Sequence, residues 1–253
     1  MTLTIVEVIK RSEQGRTEPY ICRGNDGEVY FVKGRSATRQ ELINEWMCAN
    51  LAQALGLPIA PFAIAEVPQD LMDADLTGWL KDLGVGPVFA SRKVMGQDLT
   101  ASQVPHVPLA VRQDVLVFDW WVRNNDRHLT ALGGNVNLLW KPHVYEEDTQ
   151  TDTGLVVIDH NLALDKAFST QEFCESHVFA DDLAITFSDF VLRQTYSSRL
   201  LQAMEVWDKT WNNLPEAWHF VDLEQTMPCY YPKADVLTIL SLAQSLDFWN
   251  LPA

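Results

Sequence analysis

Five residues of catalytic type are gathered around one short stretch, NNDRHLTALGGNVN, from Asn124 to Asn137. Asp126, Arg127 and His128 are consecutive, Asn135 and Asn137 lead the apolar run that follows, and Asp159 closes a second apolar run, LVVID. Aspartate can take a proton from a hydroxyl. Asparagine and aspartate also offer oxygen, the ligand type that magnesium prefers. Upstream, Lys33 ends the run EVYFVK, and Glu41 and Glu45 stand four apart in the next segment. A lysine on phosphate oxygens, a glutamate fixing it, an aspartate for the attacking hydroxyl and an Asn/Asp metal site are the parts that phosphoryl transfer requires.

The elements around these residues decide whether they can meet. LTIVEVIK alternates, and YICR and EVYFVK flank GNDG, a hairpin signal, so the chain should begin as a small antiparallel sheet. Period two puts Val29, Phe31 and Lys33 on one face. Lys33 is then either an edge-strand lysine reaching water or a partner for a buried acid. SATRQELINEWMCANLAQALGLP predicts a helix capped by Ser36 or Thr38 and ended by Gly56 and Pro58. Glu41 and Glu45 share its flank, a like-charge cost that a cation such as Lys33 would remove.

IAPFAIAEV and GPVFASRKVMG predict two further strands, and QDLTASQVPHVP a linker. Leu109–Val122 is apolar on nearly every side, as a central buried helix is. It delivers the Asp126 loop. NLLW and LVVID, joined by the polar KPHVYEEDTQTDTG with its acidic EED tip, read as a hairpin. That hairpin returns Asp159 to the end of the structure that holds Asp126. The rest reads as helical, with Trp207, Trp211, Trp218 and Trp249 as packing residues. Asp119 is expected to be a hydrogen-bonded core acid and Arg127 the partner of a structural carboxylate. His128 is read as stabilising the loop through a backbone bond.

The composition narrows the classes. A length of 253 residues, 47% of them hydrophobic, can bury a sizeable core. The formal net charge of −15 disfavours nucleic acid and anionic membrane surfaces. No apolar run is long enough to span a bilayer, and the N-terminal residues lack a signal-peptide pattern, so a cytoplasmic location is expected. Cys22, Cys48, Cys174 and Cys229 are scattered without a CxxC pair, which reads as buried free thiols rather than a zinc or disulfide framework.

The ordered set YFVKG, NEWMCANLAQALGLPIAP, NNDRH with NVNLLW, and VVIDHNLAL resembles the HipA-like kinase branch of the protein-kinase-like superfamily, over roughly residues 5 to 165. The resemblance implies an α+β, bilobal kinase-like fold. Residues 1–96 would form a small antiparallel-sheet N-lobe with one main helix, and residues 97–253 a mainly helical C-lobe, with ATP and Mg²⁺ between them. It implies an enzyme that passes the ATP γ-phosphate to a hydroxyl, first of all that of Ser or Thr in a protein substrate, with small-molecule and lipid hydroxyls left open. Lys33 would bind nucleotide phosphate and Glu45 would pair with it. Gly15, in SEQGRTEPY, would belong to a flap over the phosphates. Arg92, Lys93 and Val94 would form the connection whose backbone meets adenine.

By the same resemblance Asp126 is the catalytic aspartate and Asp159 a metal ligand. The family's metal asparagine usually follows the aspartate by five positions, which here is Ala131. Asn135 or Asn137 would take its place, the LTALGG glycines letting an enlarged loop fold back. Asn161 follows IDH where glycine often sits, so a positive φ is expected there. The branch includes toxins of toxin–antitoxin pairs, which leaves room for a regulatory partner protein.

Two other classes fit part of the pattern. A pseudokinase would bind nucleotide without turnover because of the stretched loop. A metallohydrolase would use Asp126, His128, Asp159 and His160 on zinc or iron, but it leaves Lys33 and Glu45 without a task.

Overall fold

The structure is a computed structural model that describes residues 2–12, 18–130, 133–141 and 154–252. Gly15 and the EED tip lie outside the described residues. The contacts divide the chain into two compact units, one of residues 1–46, 60–94 and 212–231, the other of residues 47–59, 95–211 and 232–253.

The first unit is built on a closed five-stranded sheet of β1 (Leu3–Arg11), β2 (Tyr20–Gly24), β3 (Val29–Lys33), β4 (Phe62–Val67) and β5 (Gly86–Arg92), in the order β1-β2-β3-β5-β4. Period two selects its core. Tyr20 and Cys22, Tyr30 and Val32, Ala65 and Val67, and Val88 and Ala90 point inward together. The sheet is not wholly antiparallel as the sequence suggested. β1 pairs parallel with β4, Leu3 opposite Ala65, and so closes what would be two open edges. The GNDG turn forms as expected, with Gly27 at φ 85 and its amide bonded to the Gly24 carbonyl at 3.0 Å.

Helix α1 (Arg39–Leu55) begins in the first unit and ends in the second. Of the two expected caps Thr38 is used. Its hydroxyl accepts from Glu41 N at 3.2 Å, and Glu41 Oε2 accepts from Thr38 N at 2.7 Å, a reciprocal capping box. Glu41 is thereby engaged at the helix start and Glu45 is left for Lys33. At the far end Gly56 adopts φ 89 and Leu57 N bonds back to the Ala52 carbonyl, which turns the chain out of the helix. Residues 212–231 also belong to this unit. Trp218, fully buried, donates its indole N–H to the Pro87 carbonyl at 2.9 Å.

In the second unit, short strands β6 (Gln97–Asp98), β7 (Leu138–Trp140) and β8 (Leu155–Val157) form an antiparallel sheet. Helix α2 (Leu109–Trp121) is its centre, with every residue from Val115 to Trp121 buried. Trp120 and Trp121 satisfy their indole N–H groups on the Phe248 and Leu240 carbonyls, at 2.8 and 2.9 Å. Helices α3 (Thr170–Ser176), α4 (Leu183–Ser188) and α5 (Phe190–Ala203) pack around it, with Phe173 and Phe187 meeting the Trp120 ring edge-on. Cys22 and Cys48 are buried free thiols, whereas Cys174 and Cys229 are only partly covered. Among the described residues no helix is long and apolar enough to cross a membrane.

Candidate active site

In the first unit, Lys33 is 7% exposed and Glu45 2%, and Lys33 Nζ lies 2.5 Å from Glu45 Oε1. β3 sits between β2 and β5, so Lys33 is not on a sheet edge and does not reach for water. It shares the outer face of the strand with Val29 and Phe31, and α1 supplies the acid. Burying both charges is costly, and the close contact offsets that cost only while both partners are present. Of the three connection residues, Arg92 and Lys93 use their amides on the Pro61 and Val29 carbonyls, each at 2.7 Å. Val94 makes no such bond among the described residues.

In the second unit the Asp126 loop is held from behind by a buried polar network. Asp119 on α2 is fully buried and receives Arg127 Nε at 2.6 Å, His177 Nε2 at 3.0 Å and Asn124 Nδ2 at 2.9 Å. Burial alone would push the Asp119 carboxyl up, but the Arg127 charge and the His177 bond outweigh it and hold the group well below the usual carboxylate range. His177 Nδ1 accepts from Phe179 N at 3.1 Å, so the ring proton is on Nε2, facing Asp119. Burial lowers the His177 pKa, with the Asp119 bond opposing, and the imidazole is neutral at pH 7.

Arg127 also clamps the loop to the hairpin. Its Nη1 donates to the Asn137 carbonyl at 2.5 Å and to the Ile158 carbonyl at 3.2 Å, fixing the residues that flank both strands. The expectation of a structural carboxylate partner for Arg127 is met, and so is that of a core acid at Asp119. The backbone bond expected of His128 is present, His128 N to the Asn135 carbonyl at 3.0 Å. Sequence reasoning missed His177 and Asn124. His177 is 58 positions from Asp119, and no local pattern announces it. Asn124 does carry a signal, since its place just past the helix end suits an amide that bonds back.

Asp126 lies beyond this network. Its amide donates to Asn124 Oδ1 at 3.1 Å. Its Oδ2 accepts from Asn135 Nδ2 at 2.8 Å and from Asn137 Nδ2 at 3.1 Å, so both candidate asparagines converge on one oxygen. The glycines make this fold-back feasible. Thr130 and Gly133 exchange backbone bonds of 3.0 Å, and a Cβ on Gly134 would stand 2.2 Å from the His128 carbonyl oxygen. Burial raises the Asp126 pKa, and the nearby Asp159 charge adds to this against the two asparagine bonds.

Asn137 and Asp159 are themselves left-handed, with φ of 47 and 58. The positive φ expected at Asn161 thus falls two residues earlier, and the Asn161 amide instead donates to Asp159 Oδ1 at 3.3 Å. Left-handed residues of this kind cost of the order of 1–3 kcal/mol each, and Arg127, bonded to the Asn137 and Ile158 carbonyls, ties the start of β7 to the end of β8.

The donor set suits a hard cation. The asparagine amide nitrogens are engaged with Asp126, so the group each has left to offer is its Oδ1 oxygen, and the Asp159 charge acts on the same Asp126 carboxyl. It does not suit zinc or iron. His160 Nε2 lies 3.3 Å from Arg127 and its ring packs edge-on against Phe118, not with Asp126. Among the described residues no three His, Cys, Asp or Glu side chains are placed to hold a metal.

A family model described as HipA-like kinase matches residues 5–252, nearly the whole chain. No curated protein matches it in sequence.

Proposed function

Because the chain belongs to the HipA-like kinase family, we propose that it transfers the γ-phosphate of ATP to a hydroxyl, that of Ser or Thr in a protein substrate. One observation carries this reading. Asn135 and Asn137 both bond to Asp126 Oδ2, which orients the carboxylate and leaves Oδ1 to accept a hydroxyl proton. A carboxylate with a raised pKa is a better base than an ordinary one.

Lys33, held by Glu45, binds phosphate oxygens of ATP. With the amides of Arg92 and Lys93 engaged in the sheet, recognition of adenine falls to Val94. Mg²⁺, held by Asp159 and the Oδ1 of Asn135 or Asn137, would neutralise charge on the transferring phosphate. Asp126 takes the proton as the hydroxyl oxygen bonds to phosphorus and ADP leaves. Residues 1–96 and 97–253 would act as the two lobes of one catalytic unit.

The test incubates purified protein with γ-labelled ATP and Mg²⁺ beside the Asp126→Asn, Asp159→Asn and Lys33→Ala variants. Label is followed on the protein, on added lysate and as free phosphate, and nucleotide binding is measured in parallel. Transfer should vanish in all three, with binding kept in Asp126→Asn and weakened in Lys33→Ala. Nucleotide binding without transfer would make the chain a pseudokinase. Absence of nucleotide binding would overturn the reading.

A further inference from the structure

Past Lys33, the first unit holds a cavity of about 780 Å³, walled by residues 35–40 at the start of α1 and by the 221–230 segment. Two guanidinium groups, Arg35 and Arg39, stand in its wall. Neither forms an ion pair with a described residue, although the chain carries 34 acidic residues against 19 basic ones. Arg39 Nε donates to the Phe220 carbonyl at 2.9 Å, which anchors the side chain and leaves its terminal nitrogens over. Arg35 lies flat on Gly84, where any Cβ would stand 2.4 Å from its Nε. Both arginines are thus positioned by the fold without being neutralised by it.

The carboxylates of the same wall do not fill that gap. Asp222 is engaged in its own turn, accepting from Thr226 N and Oγ1 and, at 2.6 Å, from Met227 N. Glu224 is exposed and makes no ion pair among the described residues. Burial, and then the Arg35 charge, lowers the Arg39 pKa, so the two cations repel one another at this spot. A doubly charged anion would relieve that repulsion, and a guanidinium fork matches two phosphate oxygens at once.

The rim says what carries the anion. Val221, Leu223 and Tyr230 border the cavity and are 58%, 53% and 76% exposed. A bare phosphate has no use for apolar surface, whereas the residues flanking a phosphorylated side chain do. We propose that this groove binds a phosphate monoester carried on a protein segment, with Arg35 and Arg39 on the phosphate and Val221, Leu223 and Tyr230 under the flanking side chains. Binding here needs neither ATP nor transfer, so it stands or falls apart from the kinase reading.

Cys229 lines the groove and is partly covered, whereas Cys22 and Cys48 are buried. In the full chain carrying Cys174→Ser, alkylation by iodoacetamide therefore reports on Cys229. The probes are an acetylated heptapeptide with phosphoserine between leucines, its unphosphorylated twin, and inorganic phosphate. The phosphopeptide should slow alkylation about tenfold or more at saturation while the twin leaves it unchanged. Arg35→Gln and Arg39→Gln should each weaken protection by about tenfold to a hundredfold, the scale of one charged hydrogen-bonding group. Arg35 is exposed, so its variant keeps the test valid even where Arg39→Gln fails to fold. Equal protection by both peptides would overturn the phosphate, and equal protection by inorganic phosphate would overturn the protein segment. No protection by any probe would overturn the site.

Discussion

Asp119 and Asp126 are seven positions apart and are treated in opposite ways. Asp119 is fully buried and surrounded by donors, one of them the Arg127 guanidinium, and its pKa is pushed down. Asp126 is half-buried, receives only neutral amides, faces the charge of Asp159, and its pKa is pushed up. A cation holds the first carboxylate permanently ionised, which suits a strut. Amide dipoles orient the second without binding its charge, which suits a group that must take and release a proton. Environments that push two carboxyls apart in this way separate structural from chemical roles.

Arg127→Ala tests the strut and should have the largest effect. It leaves the Asp119 charge buried without its cation, a loss of about 3–5 kcal/mol in urea unfolding, and it releases the Asn137 and Ile158 carbonyls. A loss under 1 kcal/mol would mean that the network holds nothing. Asp126→Asn should do the reverse. Transfer falls by about a hundredfold to ten-thousandfold, the range for a general base, while the melting temperature at pH 7 holds or rises.

The stability profiles should also run in opposite directions with pH. Asp119 is lowered in the fold, so its contribution is present above the ordinary aspartate value of 3.8 and is lost as pH falls toward its folded pKa. Asp126 is raised, so its contribution is greatest below 3.8 and is lost as pH rises through its folded pKa. Any stability gained by Asp126→Asn at pH 7 should therefore disappear in acid. A gain independent of pH would have another source.

Asn135→Ala should have the smallest effect. It removes one bond that favours the ionised Asp126, a change of about 1 kcal/mol. The acid limb of the pH–rate profile then moves to higher pH, and the plateau at saturating Mg²⁺ is kept if Asn137 supplies the metal oxygen and falls if Asn135 does. A shift the other way would show that Asn135 does not bond to the carboxylate.

The sequence disclosed these two regions unequally. Lys33 was legible because a lysine at an apolar alternation position needs a partner, and Glu45 lies on the flank that can supply one. The folded-back loop was legible from its glycines, but Asn135 and Asn137 were read there as metal-ligand candidates, and the convergence of their amides on Asp126 was not foreseen. What the sequence concealed depended on contacts far apart in the chain. Glu41 and Glu45 are equivalent in helical spacing, and only the capping box at Thr38 separates them. His177 lies on another helix. Trp218, read as part of a helical C-terminal core, packs against β5 in the first unit because residues 212–231 return there. The left-handed turn fell on Asp159 rather than Asn161, directly after Ile158, whose amide bonds to the Asn137 carbonyl at the end of β8.

The most direct measurement is a ¹³C NMR titration of the aspartate carboxyls in the protein without nucleotide, with Asp126 and Asp119 assigned by their loss in the Asn variants. Asp126 should titrate above 3.8, and Asp119 should stay ionised until the fold itself gives way in acid. If Asp126 titrated at or below 3.8, or the two carboxyls titrated alike, the division between a structural and a proton-accepting aspartate would be wrong.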